Sequence, residues 1–296
     1  MSSILTHRSI NGWWLFSLVS LPLCGWVVSE MLVADLSSGA GISEMIGFSV
    51  RLAVPFIYLA MAASSFQVLF PGEFGRWWLR NRRYIGLCFA VGMAWQGLFI
   101  FLLSTVYRGY YAEEVYFFRD ELEGSVGYIF LAAMVLTSFR PGRRLLDSSQ
   151  WKIIQKGGIY FLWAYAFSVY WWNLYYYDEP RPLDYVYYWA GFAAFALRIA
   201  AWGKKRYRAA APEVVVGAFA RGAGLALLVL GLFVAATGLR WQPAVSAFLT
   251  APAWSASMEL WLPFWPLEPF LSLMLIGLGM AILSSGFKAP TVAAQV

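Results

Sequence analysis

The sequence has few of the residues from which catalytic and metal sites are usually built. In 296 residues it contains one histidine, His7, and two cysteines, Cys24 and Cys88. Two thiols cannot supply the roughly four thiolates that an iron–sulfur cluster needs. A single histidine near the N-terminus also excludes a His-Glu-x-x-His zinc motif and provides no base for a Ser-His-Asp triad. We therefore predict no catalytic residue and no metal site.

Charge is scarce as well. Only 13% of the residues are charged, 60% are hydrophobic and the mean hydropathy is +0.60, whereas soluble domains carry about 25% charged residues. This composition excludes both a soluble domain and a disordered chain. The apolar runs are long and unbroken, which favours spanning helices over the short alternating strands of a membrane barrel. The predicted fold is an all-α, polytopic membrane bundle.

Eight stretches approach the roughly 20 apolar residues that a helix needs to cross a bilayer. The segments between them alternate in charge, and basic segments of membrane proteins stay in the cytoplasm. We therefore expect both termini to be cytoplasmic, and we read the net charge of +6 as a sign of topology rather than of nucleic-acid binding. The predicted spans are 12–34, 47–70, 84–107, 124–140, 157–177, 185–203, 217–241 and 266–287. The basic segments are 76–83, 140–156 and 204–208, and the acidic ones are 35–44, 113–123 and 178–184.

Two segments resemble a known family. They are Arg82-Arg83-Tyr84-Ile85-Gly86-Leu87 at the start of the third span, and Leu136-Thr137-Ser138-Phe139 continuing through Trp151-Lys152-Ile153-Ile154-Gln155 to Trp163. Together they resemble the ferric-reductase-like transmembrane domain, closest to the haem-binding membrane subunit of the bacterial methionine sulfoxide reductase system. The resemblance covers roughly residues 45–200. It implies a six-helix core and a place in the bacterial inner membrane.

The resemblance also implies where haem ligands would lie. In the family pattern, histidines occupy the positions that correspond here to Gln96, Gln155 and Ser168. An amide or a hydroxyl does not ligate haem iron in the usual way, so we expect no bound haem. Counting about 1.5 Å per residue, Gln96 and Ser168 lie at similar depths in their spans. The former haem cavity would then be bounded by Gln96, Gln155 and Ser168 with Trp95 and Trp163.

Two interpretations of these residues stay open. The cavity could hold a quinone, a lipid or a pigment, or its polar residues could form hydrogen bonds between helices, worth about 0.6 kcal/mol each. A flavin is a further candidate, although the sequence has no phosphate-binding glycine loop.

Aromatic residues make up 19% of the chain and concentrate at the predicted outer ends of the spans. They are typical of an interfacial belt, and they also predict a docking face for a periplasmic partner or for other membrane-protein subunits. These aromatic residues are at positions 107, 110, 111 and 116–118; 171, 172 and 175–177; and 185 and 187–189.

We divide the chain into a six-span core, 1–203, and a part comprising 204–296, with a basic segment, two further spans and an aromatic outer loop at about 242–265. The expected function is that of an accessory or structural subunit of a redox or photosynthetic membrane complex. The alternative is a membrane oxidoreductase or electron carrier that uses quinone or flavin.

Overall fold

The computed structural model describes residues 2–176, 180–209 and 216–284, and in these ranges the regular structure is entirely helical. This confirms the predicted all-α class. A helix covers the centre of each of the eight predicted spans. The α-helices of five or more residues are α1 (Ser2–Thr6), α2 (Gly12–Met31), α3 (Gly39–Leu69), α4 (Glu73–Val106), α5 (Phe118–Ser138), α6 (Arg140–Arg144), α7 (Ser148–Tyr175), α8 (Pro182–Ala209), α9 (Ala218–Ala236), α10 (Gly238–Leu249), α11 (Ser255–Trp261) and α12 (Leu271–Leu283).

Four of the described helices are long and apolar enough to cross a membrane: α2, α3, α4 and α9. The helix that ends at Leu283 is apolar but shorter. Helices α5, α7 and α8 are long, and their apolar residues are diluted by Tyr, Trp, Gly and charged side chains. A topology with eight membrane spans therefore stays a prediction.

The helices extend beyond the apolar runs from which they were predicted. Helix α4 begins at Glu73 although its apolar run begins near residue 84, and α3 begins at Gly39 rather than near 47. No proline interrupts either extension, so the backbone hydrogen bonds continue through polar sequence. Tyr177 and positions 285–287 of two predicted spans, and Asp178 and Glu179 of the acidic segment, lie outside the described residues.

The chain forms two compact units. Unit 1 comprises residues 1–63 and 72–166, and unit 2 comprises residues 64–71 and 167–296. The division between 203 and 204 that the sequence suggested stays a prediction.

In unit 1, helices α2, α3 and α4 pack around one apolar core. At its crossing with α3, helix α4 carries Gly92, where an added Cβ would lie 2.6 Å from the Cβ of Ala53. Such small residues let helix backbones approach closely in a membrane protein. The core residues are Leu23, Val27, Ile42, Met45, Phe99 and Leu103.

A buried amide joins the start of α2 to α4 in the same unit. Asn81 is fully buried, its Oδ1 accepts a hydrogen bond from the backbone N–H of Gly12 at 2.9 Å, and its Nδ2 donates to Asn11 Oδ1 at 3.0 Å. Beside it, Trp77 donates to the carbonyl of Ile10 at 3.0 Å and Arg80 donates to the carbonyl of Leu5 at 3.1 Å. We call this set of contacts the N-terminal clamp.

In unit 2, α9 and α12 cross with their backbones in contact. A Cβ at Gly279 would lie 2.7 Å from the carbonyl oxygen of Gly224, and one at Gly231 would lie 2.8 Å from the carbonyl oxygen of Ser272. Helix α8 also packs on α12, where a Cβ at Gly203 would lie 2.2 Å from the sulfur of Met280. Glycine is required at Gly231 and Gly279, where an added Cβ would meet backbone atoms of the other helix, whereas the Met280 side chain beside Gly203 is flexible.

Candidate functional site

Gln155 lies on α7 and faces α5 within unit 1. Its Nε2 donates to the hydroxyl oxygen of Thr137 at 3.0 Å and to the carbonyl oxygen of Met134 at 3.2 Å. Close contact between the two helices is possible because Gly158, one turn further along α7, lies against Met134. The amide of Gln155 therefore joins two helices.

Gln96 also joins two helices, but at another place in unit 1. Its Oε1 accepts a hydrogen bond from the hydroxyl of Tyr128 on α5 at 2.9 Å, and the same hydroxyl lies 3.1 Å from the carbonyl oxygen of Met93. The neighbouring Trp95 points to α2, where its Nε1 lies 3.4 Å from Cys24 Sγ. Gln96 and Trp95 therefore face different helices rather than one common cavity.

The two remaining predicted site residues are both buried. Trp163 is 3% exposed and lies in unit 1, whereas Ser168 is 6% exposed and lies in unit 2.

The donor atoms at the three family positions do not fit haem. Haem iron is held by ligands such as histidine, cysteine thiolate, methionine or tyrosine, and these positions present two amides and one hydroxyl. The amides of Gln96 and Gln155 already make hydrogen bonds within the protein. Within the described ranges, His7 lies before α2, and its Nδ1 contacts Ser9. The residues at these three positions therefore provide no ligand set for haem iron.

Unit 1 contains a cavity of about 800 Å³. Helices α2 to α7 all contribute to its wall. Gln155 lines it, whereas Gln96, Trp95 and Trp163 of the same unit do not. The lining residues are Trp13, Ile57, Ala60, Leu79, Arg80, Arg82, Arg83, Gly86, Leu87, Phe89, Leu131, Met134, Val135, Thr137, Ser138, Phe139, Arg140, Pro141, Arg143, Trp151, Gln155, Ile159 and Leu162.

The two segments that carry the family resemblance meet at this cavity. Arg82, Arg83, Gly86 and Leu87 belong to the first segment. The second segment contributes residues on α5 and α7 and Phe139, which lies between α5 and α6; they are Thr137, Ser138, Phe139, Trp151, Gln155, Ile159 and Leu162. Sequence separation between the segments is more than 40 residues, so their meeting is a property of the tertiary structure.

Arginine and apolar residues occupy different parts of the cavity wall. Five lining residues are arginines at the start of α4 and on α6, and none of the lining residues in this part of the described chain is Asp or Glu. Elsewhere the wall is apolar, with buried side chains at Ile57 on α3, Leu87 further along α4 and Ile159 on α7. The cavity thus combines a positively charged rim with an apolar interior.

Aromatic rings hold two of these arginines in place. The guanidinium of Arg83 lies 5.1 Å from the ring centroid of Phe139 and 5.9 Å from that of Trp13. The guanidinium of Arg143 lies 5.1 Å from the ring of Trp151, and its Nη1 donates to the carbonyl of Leu146 at 2.8 Å. Stacking uses the face of the guanidinium plane and leaves the N–H groups at its edge available to an anion.

The aromatic segment at 107–118 is partly exposed and partly engaged. Tyr116, Phe117 and Phe118 are 50 to 60% exposed. Tyr111 donates a hydrogen bond to Glu121, and burial together with this carboxylate raises the pKa of Tyr111 to about 12. In unit 2, by contrast, Trp171 of the predicted aromatic face is fully buried. Part of the predicted outer aromatic set is therefore core.

Unit 2 contains a buried carboxyl group that the sequence interpretation did not single out. Glu268 is fully buried, and its Oε1 accepts a hydrogen bond from the hydroxyl of Tyr176. Its Oε2 has no hydrogen-bond partner among the residues described. Tyr176 also lies 2.6 Å from the hydroxyl of Ser246. The available sequence signal was an acidic residue next to the last apolar run, which is costly in a membrane and often functional.

Comparison of the chain with protein-family models, with curated proteins and with solved structures finds no match.

Proposed function

We propose that this chain is a haem-free integral membrane protein with a ferric-reductase-like core, and that it serves as an accessory or structural subunit of a redox or photosynthetic membrane complex. The observation that carries the proposal is the role of the two glutamines at family ligand positions. Gln96 bonds to Tyr128 on α5, and Gln155 bonds to Met134 and Thr137 on the same helix. Side chains that join helices suit a scaffold better than a redox centre.

The proposal includes a topology. Eight helices cross the bacterial inner membrane, with both termini and the basic segments in the cytoplasm. The alternation of basic and acidic segments supports this orientation, and the presence of a helix at each predicted span supports the number of spans. A reporter fused after Leu145 in a basic segment should be cytoplasmic, and one placed after Phe117 should be periplasmic. The opposite pattern would contradict the orientation without affecting the role of the glutamines.

The exposed aromatic residues at 116–118 support a surface for partner subunits. A photo-crosslinking amino acid at Phe117 should capture a neighbouring protein in native membranes. The same amino acid at Leu145, which is 83% exposed and directly follows α6 in a basic segment, serves as the matched control. Equal capture at both positions, or capture at neither, would contradict a docking face at 116–118.

A membrane oxidoreductase or electron carrier that uses quinone or flavin is the second candidate. The observation that favours it is the 800 Å³ cavity at Gln155, since cofactor pockets have volumes of about 300–1,000 Å³. Visible spectroscopy and solvent extraction of protein purified from its native membrane distinguish the candidates. The accessory role predicts no haem or flavin absorbance, no extractable quinone, and co-purifying membrane subunits. A reducible haem band overturns the haem-free core, stoichiometric flavin or quinone supports the second candidate, and isolation without any partner contradicts the accessory role.

A further inference from the structure

We propose that the cavity of unit 1 binds one anionic phospholipid, with the phosphate held by arginines at the rim and the upper acyl chains against the apolar walls. Gln155, one of the positions implied by the family resemblance, also lines this cavity, but the arginine rim is not among those positions, and the accessory role does not depend on lipid binding. The proposal depends on the positive charge of the rim, on two arginines whose guanidinium groups make no hydrogen bond within the described protein, and on the apolar surface of the interior.

The rim carries five arginines without a carboxylate among the lining residues. The guanidinium groups of two of them, Arg83 and Arg140, make no hydrogen bond or ion pair with any residue in the described ranges. Arg83 is nevertheless held in place by its stacking on Phe139 and Trp13. Fixed guanidinium groups bind phosphate through two parallel N–H···O bonds, so this rim is suited to a phosphate monoanion or diester.

The interior excludes a small soluble anion as the best ligand. Between Trp151 and Leu162 on α7, the helix rises about 16 Å at 1.5 Å per residue, and both residues line the cavity. Beyond Gln155, the wall consists of buried apolar side chains such as Ile159, Leu162 and Leu131. A free phosphate leaves this surface uncovered, and a neutral apolar ligand leaves the guanidinium groups of Arg83 and Arg140 without an anion. An amphiphile with an anionic head satisfies both parts.

A membrane supplies such a molecule directly. Basic pockets between membrane helices bind anionic lipid headgroups, and each arginine near the headgroups contributes about 1 kcal/mol. The volume of about 800 Å³ accommodates a headgroup and the first part of the chains. Arg76 and Arg144, two other basic residues of the same segments, do not line the cavity.

The test uses delipidated full-length protein and native mass spectrometry in detergent. Phosphatidylglycerol should bind at least about tenfold more tightly than phosphatidylcholine of the same chain length, with one high-affinity site. The double variant R83Q/R140Q should lose about tenfold of that affinity, because two cations that bind the headgroup are removed. The variant should still fold, because neither guanidinium group makes a hydrogen bond that the substitution would break. The matched control R76Q/R144Q removes the same charge from the same segments and should change the affinity less than about twofold. Equal binding of the two lipids, or equal losses in both double variants, would overturn the proposal.

A second variant tests whether the acyl chains enter the cavity. Gly86 lines it, and a Cβ there would lie 3.9 Å from Ala60, which is an ordinary contact. Gly86→Leu should therefore fold and fill the interior, so that phosphatidylglycerol binding falls while the arginines stay in place. Unchanged binding would place the lipid elsewhere. Inorganic phosphate at the concentration of the lipid should not displace it, and displacement would assign the rim to a free anion instead.

Discussion

The N-terminal clamp makes Asn81 a position where one substitution should have a large and localised effect. Replacing Asn81 with leucine keeps a side chain of similar size and removes its hydrogen-bonding atoms. The N–H of Gly12 then loses its acceptor at 2.9 Å, whereas Asn11 Oδ1 keeps the hydrogen bond from Arg80 at 2.9 Å. One buried donor is therefore orphaned, which costs about 1–3 kcal/mol. Loss of the Asn81–Asn11 bond adds about 0.5–1.5 kcal/mol.

We therefore expect Asn81→Leu to lower the free energy of unfolding by about 2–4 kcal/mol. Equilibrium unfolding by SDS in mixed micelles, followed by tryptophan fluorescence, measures this change. The matched control is Arg76→Leu, an exposed position on the same helix, where surface substitutions change stability by less than about 0.5 kcal/mol. Hydrogen exchange of the peptide containing Gly12 should accelerate in Asn81→Leu and not in Arg76→Leu. If both variants unfold at the same SDS fraction as the parent protein, the clamp does not contribute to stability.

Three further predictions also concern changes in the stability of the folded protein. Gly279→Leu should separate α9 from α12 and destabilise unit 2 by about 2 kcal/mol or more, since its Cβ meets backbone; Gly222→Leu, whose Cβ would meet nothing within 4 Å, should be neutral. Gly12→Ala should cost about 1 kcal/mol because Gly12 has a φ of 64°, whereas Gly25→Ala in the same helix meets nothing within 4 Å and should cost nothing. A reversed order within either pair, read from thermal unfolding in detergent, would contradict the packing described. Glu268→Ala should cost about 2 kcal/mol through the lost side-chain volume and the lost hydrogen bond from Tyr176, whose hydroxyl keeps Ser246 as a partner. Glu268→Gln, which preserves Oε1, should cost less, and equal stabilities would show that the buried carboxyl group is not held by this contact.

The sequence predicted the helical class and the positions of the helices because apolar run length is a local property. It predicted less about the site. Trp95 and Gln96 were assigned to one cavity, yet adjacent residues on a helix differ by about 100° in direction, and they contact α2 and α5 respectively. Gln155 does line a cavity, although its depth in the membrane was not used to select it.

Other features depend on which helices become neighbours. Nothing local distinguishes Gly224, which contacts the backbone of α12, from Gly222, which contacts nothing. The arginines were assigned to topology alone, because their convergence on one rim requires α4 and α6 to meet at the same end of unit 1. Glu268 was overlooked because its burial depends on contacts with Tyr176, which is 92 residues away in sequence.

The N-terminal clamp also has a consequence for biosynthesis. The residues that precede α2 are bound by side chains about 70 positions later in the chain, on α4. Helix α2 is therefore synthesised before its partner α4, and the residues that precede α2 stay without these contacts until α4 has been made. Deleting residues 5–11 would remove the acceptors of Trp77 and Arg80 and one of the two acceptors of Asn81 Nδ2, so these residues contribute to the packing of unit 1.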